Sequence, residues 1–149
     1  MSTKIFYVST TGIIVKDGKY LITKRSAQEK AFPGKWTVPG GKLEHTDYQH
    51  LKPNKGGLWY EPIEIALRRE LKEEVNLDVD NIRYITSIAF VRPDQAHCLI
   101  FSYACDYIDG DVILCDALTE HAWVTLAEAK NYDLIDGIYD ELALVEKTL

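Results

Sequence analysis

The sequence predicts one domain of the α/β or α+β class, built on a mixed β-sheet. Its 149 residues are enough for a single domain with a substantial hydrophobic core. Strand-like and helix-like segments alternate along the chain, which is typical of a sheet covered by helices. No internal repeat, linker or low-complexity tract divides the sequence. We therefore expect one folding unit.

The first elements predicted are the strands of a hairpin. Strand-like runs at 13–16 and 19–25 flank Asp17-Gly18, a residue pair that is typical of a two-residue β-turn. A short strand is predicted at 36–38, within a stretch rich in proline and glycine. Residues 45–60 are polar and have no hydrophobic period, so they predict a loop.

A helix is predicted at 62–75. Pro62 suits the first turn of a helix, because its missing N–H would have no partner there. Apolar residues recur at every fourth position and predict one buried stripe; they are Ile63, Leu67, Leu71 and Val75. Asn76 fits the left-handed residue that commonly ends a helix.

The second half of the chain predicts strands followed by helices. Two long β-rich segments lie at 82–91 and 97–107, and a shorter strand is predicted at 121–125. Helices are predicted at 126–131 and 138–147.

Composition narrows the classes of partner. The net charge of -6 disfavours binding to a nucleic acid polymer. No apolar run is long enough to cross a bilayer and no signal peptide is recognised, so we expect a cytoplasmic protein with no membrane partner. The three cysteines lack a CxxC pair, and reduced, packed thiols are expected. The sequence leaves open whether the protein is a monomer or a homodimer.

Three glutamates stand close together near the end of the predicted helix. Glu70, Glu73 and Glu74 are spaced i, i+3 and i+4, so they neighbour one another on the helix surface. Their charges repel one another and also oppose the helix dipole. A solvated charged face is one interpretation. A divalent cation such as Mg²⁺ is the other, because it removes both penalties.

These glutamates belong to a longer motif. The segment "PGGKLE…EPIEIALRRELKEEVNL" resembles the Nudix box, Gx5Ex7REUxEExGU, in which U is apolar. Glu61 stands at the first Glu of the box, eight residues before Arg69. The second half of the box is filled position for position by Arg69, Glu70, Leu71, Glu73, Glu74 and Leu77. Flanking segments also resemble those of Nudix hydrolases, so the resemblance covers nearly the whole chain.

The sequence departs from the Nudix box at two places. Asn76 replaces the late glycine, which a left-handed helix end tolerates. About fourteen extra residues separate Gly41 from Glu61, within an inserted loop at about 45–60. Long insertions in surface loops destabilise a fold only slightly, so the following helix is expected to stay intact.

The resemblance implies the fold and the chemistry. It implies that residues 1–149 form a single Nudix hydrolase domain, an α/β/α sandwich with a central mixed β-sheet and a catalytic helix at about 62–75. Nudix hydrolases cleave nucleoside diphosphates linked to a group X, by attack of water on phosphorus. Mg²⁺ is the implied cofactor, with Mn²⁺ as a substitute.

The resemblance also assigns roles to residues. The implied metal-binding groups are three carboxylates and one backbone carbonyl, from Glu70, Glu73, Glu74 and Gly40. Glu70 is also a candidate general base, and Arg69 would orient the carboxylates. Glu61 would lie in or next to the metal shell. Because some members place the base on a later loop, Asp116 and Glu120 are the alternatives, although either is also explained as an exposed acid.

Contacts to the substrate are predicted at two places. Arg25 follows the second hairpin strand and is a candidate phosphate contact; its alternative is a surface cation. The insertion carries the aromatic residues Tyr48 and Trp59, which would stack on a base or cap the site. The alternative is that these rings pack on the protein's own surface.

The expected substrates are nucleoside triphosphates, cleaved to nucleoside monophosphates and pyrophosphate. We recognise no additional N-terminal strands or domain before the core, whereas ADP-ribose-cleaving relatives often use such additions to form a dimer that completes the site. ADP-ribose or a nucleotide sugar is the alternative, because ADP-ribose-hydrolysing relatives commonly carry a proline where this chain has Pro93. A non-catalytic nucleotide sensor is the third interpretation, and the intact carboxylate set argues against it.

Overall fold

The computed structural model describes residues 4–149. In this part of the chain the strands are β1 (Phe6–Lys16), β2 (Lys19–Arg25), β3 (Trp36–Thr37), β4 (Gly40–Lys42), β5 (Asp78–Val91), β6 (His97–Asp109) and β7 (Leu118–Val124). The helices are α1 (Pro62–Val75), α2 (Leu126–Ala129) and α3 (Ile138–Glu146), and a single 3-10 turn spans His45–Asp47.

The strands form one mixed sheet. Its central order is β3-β2-β1-β6-β5, with β4 also paired to β1 and β7 to β2. β1 runs parallel to β6 from Phe6 opposite His97 to Val15 opposite Asp106, whereas the other pairs are antiparallel. The predicted fold class, with a central mixed sheet and few helices, is confirmed.

Each face of the sheet has its own hydrophobic core. Helix α1 packs on one face, where Leu67, Leu71 and Val75 are buried. Helices α2 and α3 cover the opposite face through buried residues that include Leu142. A Cβ added at Gly12 of β1 would lie 3.2 Å from methyl groups of Leu67 and Leu71, so glycine allows α1 to approach the sheet closely.

Several local predictions are confirmed. The catalytic-helix segment has the predicted bounds, and Asn76 ends it with a left-handed φ of 62°. Asp17 and Gly18 both have positive φ, as a two-residue turn between twisted strands requires.

Several strand predictions were too short. β1, β5 and β7 begin earlier than predicted, β6 ends later, and β4 was not predicted at all. The early part of β1 carries exposed apolar side chains such as Phe6 and Tyr7, and the start of β5 is polar. Neither segment shows the alternation of apolar and polar residues that indicates a half-buried strand. Both segments become strands because they pair with neighbouring strands.

Cys98, Cys105 and Cys115 are free, and the first two are buried. Within residues 4–149 no helix combines the length and the apolar character needed to span a bilayer.

Candidate active site

The end of helix α1 lies against the two glycines of β4. Gly40 donates its backbone N–H to Glu74 Oε1 at 2.8 Å. A Cβ added at Gly41 would overlap the carboxyl group of Glu70. Gly41 therefore leaves the space that the Glu70 carboxyl group occupies, and the backbone N–H of Gly40 holds Glu74.

Arg69 connects this carboxylate group to β4. Its Nη1 donates to Glu70 Oε1 at 2.8 Å and to Glu73 Oε2 at 3.1 Å. Its Nη2 donates to the carbonyl oxygen of Lys42 at 2.9 Å. The guanidinium group thus partly neutralises two glutamates and fixes their positions relative to the sheet.

Asp47 of the insertion holds the other edge of the same guanidinium group. Arg69 donates from Nε to Asp47 Oδ1 and from Nη2 to Asp47 Oδ2, the latter at 3.0 Å. The Asp47 side chain is only 1% exposed, and its Oδ2 also accepts the N–H of Glu44 at 2.8 Å. The hydrogen bonds from Arg69 hold the pKa of Asp47 below its usual value, against the effect of burial. Asp47 therefore binds Arg69 as a carboxylate.

Burial makes two of the glutamates unusually weak acids. It raises the pKa of Glu74 to about 7, and repulsion by Glu70 adds to this effect while the Gly40 N–H opposes it. Burial also raises the pKa of Glu70, although Arg69 opposes it. Two partly buried, mutually repelling carboxylates are an arrangement that a bound cation would stabilise.

The carboxylate oxygens of α1 are chemically suited to bind a hard divalent cation. Glu70 and Glu74 supply adjacent carboxylate oxygens, which Mg²⁺ prefers. Glu73 is turned towards Arg69, and its side chain is 61% exposed. As the side chains stand, no group of three or more His, Cys, Asp or Glu within residues 4–149 is arranged to hold a metal ion. The metal-binding set, including the Gly40 carbonyl, thus stays a prediction.

The place of Glu61 in or next to the metal shell stays a prediction. Glu61 is exposed at the start of α1, and within the described residues no hydrogen bond or ion pair joins its carboxylate to Arg69 or Glu70. Asp47 occupies the place beside Arg69 instead. The Nudix spacing contained this signal: Asp47 is six residues after Gly41, while Glu61 is eight before Arg69. Because of the insertion, two residues match the first Glu of the motif: Asp47 by its distance from Gly41, and Glu61 by its distance from Arg69.

Glu120 is also placed away from the glutamates of α1. It lies in β7, not in a loop, and forms an exposed ion pair with Lys24 at 3.2 Å. Thr23 and Arg25 line a cavity with Glu74, so Lys24 between them points to the other face of β2. The role of Glu120 as an alternative base stays a prediction, and its exposed position also fits the other interpretation, an exposed acid. Asp116 is exposed in the turn before β7.

The cavity beside Glu74 has a volume of about 180 Å³. The polar residues of its wall include Arg25, Thr10, Thr11, Thr23 and Gly40. Arg25 is held there by its Nε–H, which donates to the carbonyl oxygen of Ala31 at 2.7 Å, and by Glu29 at 3.4 Å. Arg25 therefore lies beside the carboxylate cluster, as a phosphate contact requires.

A second, wider groove of about 690 Å³ lies between β1 and the insertion, and Tyr48 lines it. Trp59 packs on Tyr48, with ring centroids 5.3 Å apart, and its indole N–H donates to the carbonyl oxygen of Leu51 at 2.9 Å. These contacts of Trp59 lie within the insertion, as the packing alternative predicts. Pro93 is exposed in the turn between β5 and β6.

Known proteins resemble this chain in sequence and in fold. The sequence model of the NUDIX domain matches residues 7–143. The chain is 30% identical over 143 residues to the nucleoside triphosphatase NudI of Salmonella paratyphi B, covering 89% of this chain and 91% of that protein. Its fold is similar to a MutT NUDIX hydrolase from Burkholderia pseudomallei, with a TM-score of 0.72, 22% identity and coverage of 95% and 99% of the two chains. It is also similar to the NUDIX domain of NrtR from Shewanella oneidensis, solved with ADP ribose, with a TM-score of 0.71, 17% identity and coverage of 99% and 90%.

Proposed function

The chain belongs to the Nudix family and is a Nudix hydrolase, and from this premise we propose that it hydrolyses nucleoside triphosphates to nucleoside monophosphates and pyrophosphate with Mg²⁺ as its cofactor. The proposal treats the whole chain as one Nudix domain with an inserted loop. It rests above all on how β4 holds two glutamates of α1: the Glu70 carboxyl group fills the space beside Gly41, and Glu74 accepts the backbone N–H of Gly40.

The choice of triphosphate follows from the cavity beside these carboxylates. Its wall carries the guanidinium group of Arg25, which suits a phosphate, and several threonine hydroxyl groups, which suit a sugar or base. The relative with 30% identity carries the name nucleoside triphosphatase, which supports the same choice.

Each residue has a defined task in this proposal. Glu70, Glu73, Glu74 and the Gly40 carbonyl would hold Mg²⁺, which neutralises phosphate oxygens and lowers the pKa of bound water. Arg69 orients Glu70 and Glu73 through its Nη1. Arg25 binds a phosphate of the substrate. Glu70 is also the candidate base that accepts the proton of the attacking water.

Substrate class is tested by comparing kcat/KM for a panel of nucleoside triphosphates, ADP-ribose and nucleotide sugars, at equal Mg²⁺ and with identification of the products. The proposal expects the best triphosphate to be preferred by about tenfold or more, equivalent to about 1.4 kcal/mol of transition-state binding. Release of pyrophosphate is expected. A tenfold preference for ADP-ribose would overturn the choice of substrate while leaving the hydrolase assignment in place.

A further inference from the structure

A segment between β6 and β7 covers the C-terminal end of helix α1. Two of its backbone N–H groups donate to the last carbonyl groups of the helix, Ile113 to Val75 at 3.1 Å and Cys115 to Glu74 at 3.0 Å. The last four carbonyl groups of a helix have no partner within the helix, so these donors complete its end. We name residues 111–115 the helix-closing segment.

Glu74 is held at two points. Its carbonyl oxygen accepts the N–H of Cys115 at 3.0 Å, and its carboxylate oxygen Oε1 accepts the N–H of Gly40 at 2.8 Å. The helix-closing segment therefore fixes the backbone of the same residue whose side chain β4 fixes. The segment also leads to the wall of the cavity, since Leu118 of that wall donates its N–H to the carbonyl oxygen of Cys115 at 3.1 Å. A shift of the segment would move Glu74 relative to β4.

Asn76 ties the helix-closing segment to the helix. Its side-chain Nδ2 donates to the carbonyl oxygen of Asp111 at 3.1 Å. The two chains lie close together here, because a Cβ added at Gly110 would lie 2.5 Å from the carbonyl oxygen of Asn76. Asn76 stands where the Nudix box has a glycine, and its φ of 62° is in the left-handed region that glycine adopts with less strain. Asparagine at this position thus provides a contact that glycine cannot make.

We propose that Asn76 is a positioning residue for metal binding: through Asp111 it holds the helix-closing segment, which in turn holds Glu74 so that its carboxylate stays beside Gly40. Asn76 does not itself touch the metal or the substrate. The proposal rests on the proposed function, because it takes Glu74 to be a metal ligand. Removing a group that orients a metal ligand typically weakens metal binding by about tenfold or more. Asn76 acts through one further contact, so we expect a smaller effect of about fivefold.

The test removes the side-chain amide with Asn76→Gly. Glycine adopts the left-handed conformation without strain, so this variant should fold. Titration with Mn²⁺, followed by electron paramagnetic resonance of the free ion, measures metal affinity without turnover, and loss of binding in Glu74→Gln identifies the site. The Kd for Mn²⁺ should rise by about fivefold in Asn76→Gly. The Mg²⁺ concentration that gives half-maximal kcat should rise by the same factor, while kcat at saturating Mg²⁺ stays within about twofold of wild type.

Asn81→Gly is the matched control. Asn81 also has a left-handed φ, of 51°, and its Nδ2 donates to Asp106 of β6 at 3.0 Å. This variant loses the same kind of hydrogen bond outside the helix-closing segment, so it should keep the Mn²⁺ affinity of wild type. Amide hydrogen exchange at Ile113 and Cys115 should accelerate by about fivefold in Asn76→Gly and stay unchanged in Asn81→Gly.

The possible results separate this inference from the proposed function. A Kd for Mn²⁺ that stays at the wild-type value in Asn76→Gly would overturn the inference, as would unchanged exchange at Ile113 and Cys115 or equal weakening in Asn81→Gly. Mg²⁺-dependent hydrolysis of triphosphates by the wild type would then leave the proposed function in place. A preference for ADP-ribose together with weaker Mn²⁺ binding in Asn76→Gly would support the inference and contradict the choice of substrate alone. Binding of Mn²⁺ that does not depend on Glu74 would contradict both.

Discussion

Asp47 of the insertion and Arg69 of α1 lie 22 positions apart in the sequence and share two hydrogen bonds. Through this pair the inserted loop holds the Nε edge of a guanidinium group whose Nη1 holds Glu70 and Glu73. The start of the insertion therefore supports helix α1.

Asp47→Asn should lower both stability and activity. The change removes one of the three carboxylate partners of Arg69 and weakens two charge-assisted hydrogen bonds, which should destabilise the fold by about 2 kcal/mol. We also expect kcat to fall by about tenfold, because Glu70 and Glu73 lose their fixed position. Urea unfolding and steady-state kinetics measure the two effects. Glu61→Gln is the matched control and should stay near wild type; the reverse ranking of the two variants would restore Glu61 to the site.

The contribution of Asp47 to stability should depend on pH in a defined direction. Its pKa in the folded protein is lowered, whereas in the unfolded chain it is about 3.9. Ionised Asp47 therefore stabilises the folded state above about pH 4. This contribution to stability is lost as the pH falls through the lowered pKa of Asp47 in the folded protein. The difference in unfolding free energy between wild type and Asp47→Asn should be constant between pH 5 and 7 and shrink below about pH 4. A difference that grows in acid would contradict this assignment.

Gly41→Ala should displace Glu70. The added methyl group would overlap the Glu70 carboxyl, so one of the two groups has to move. A shift of about 1 Å at a reacting group reduces kcat by about a hundredfold. Gly18→Ala is the control: it is strained by its φ of 74° but has open space around the new methyl group. It should lose stability and keep kcat, so equal kcat in both variants would exclude the packing role of Gly41.

The thiols should differ in reactivity. Burial raises the pKa of Cys105 to about 12, and Cys98 is buried as well. Cys115 is partly exposed. Iodoacetamide at pH 8 should therefore label Cys115 first, and mass spectrometry of the peptides identifies the site. Labelling of Cys105 before unfolding would show that the core on the α1 side opens in the native protein.

The sequence predicted the helix of the site better than the strand beside it. The apolar period from Leu67 to Val75 defines a buried stripe, and the neighbouring glutamates then follow from helical geometry. β4 was not predicted because Gly40 and Gly41 carry no side chain that alternates between faces. Its conformation is determined by pairing with β1.

The sequence could not predict two features of the site. Counting back from Arg69 gives Glu61, and only the three-dimensional contact shows that Asp47 binds Arg69. The direction of the Glu120 side chain depends on the register of β7 with β2, which no local pattern determines. For Glu141 the sequence predicted only a position in a helix. The lack of a partner at its buried Oε1 among residues 4–149 depends on how α3 packs, which the sequence does not show.

The central claim is that the carboxylates of α1 perform cation-dependent hydrolysis. The most direct measurement is kcat for the preferred nucleoside triphosphate as a function of Mg²⁺ concentration, in wild type and in Glu73→Gln and Glu74→Gln. The wild type should be inactive in EDTA and saturate with Mg²⁺, whereas both variants should stay folded and lose kcat by about a hundredfold or more. Full activity of the wild type in EDTA, or wild-type kcat in both variants, would contradict the account.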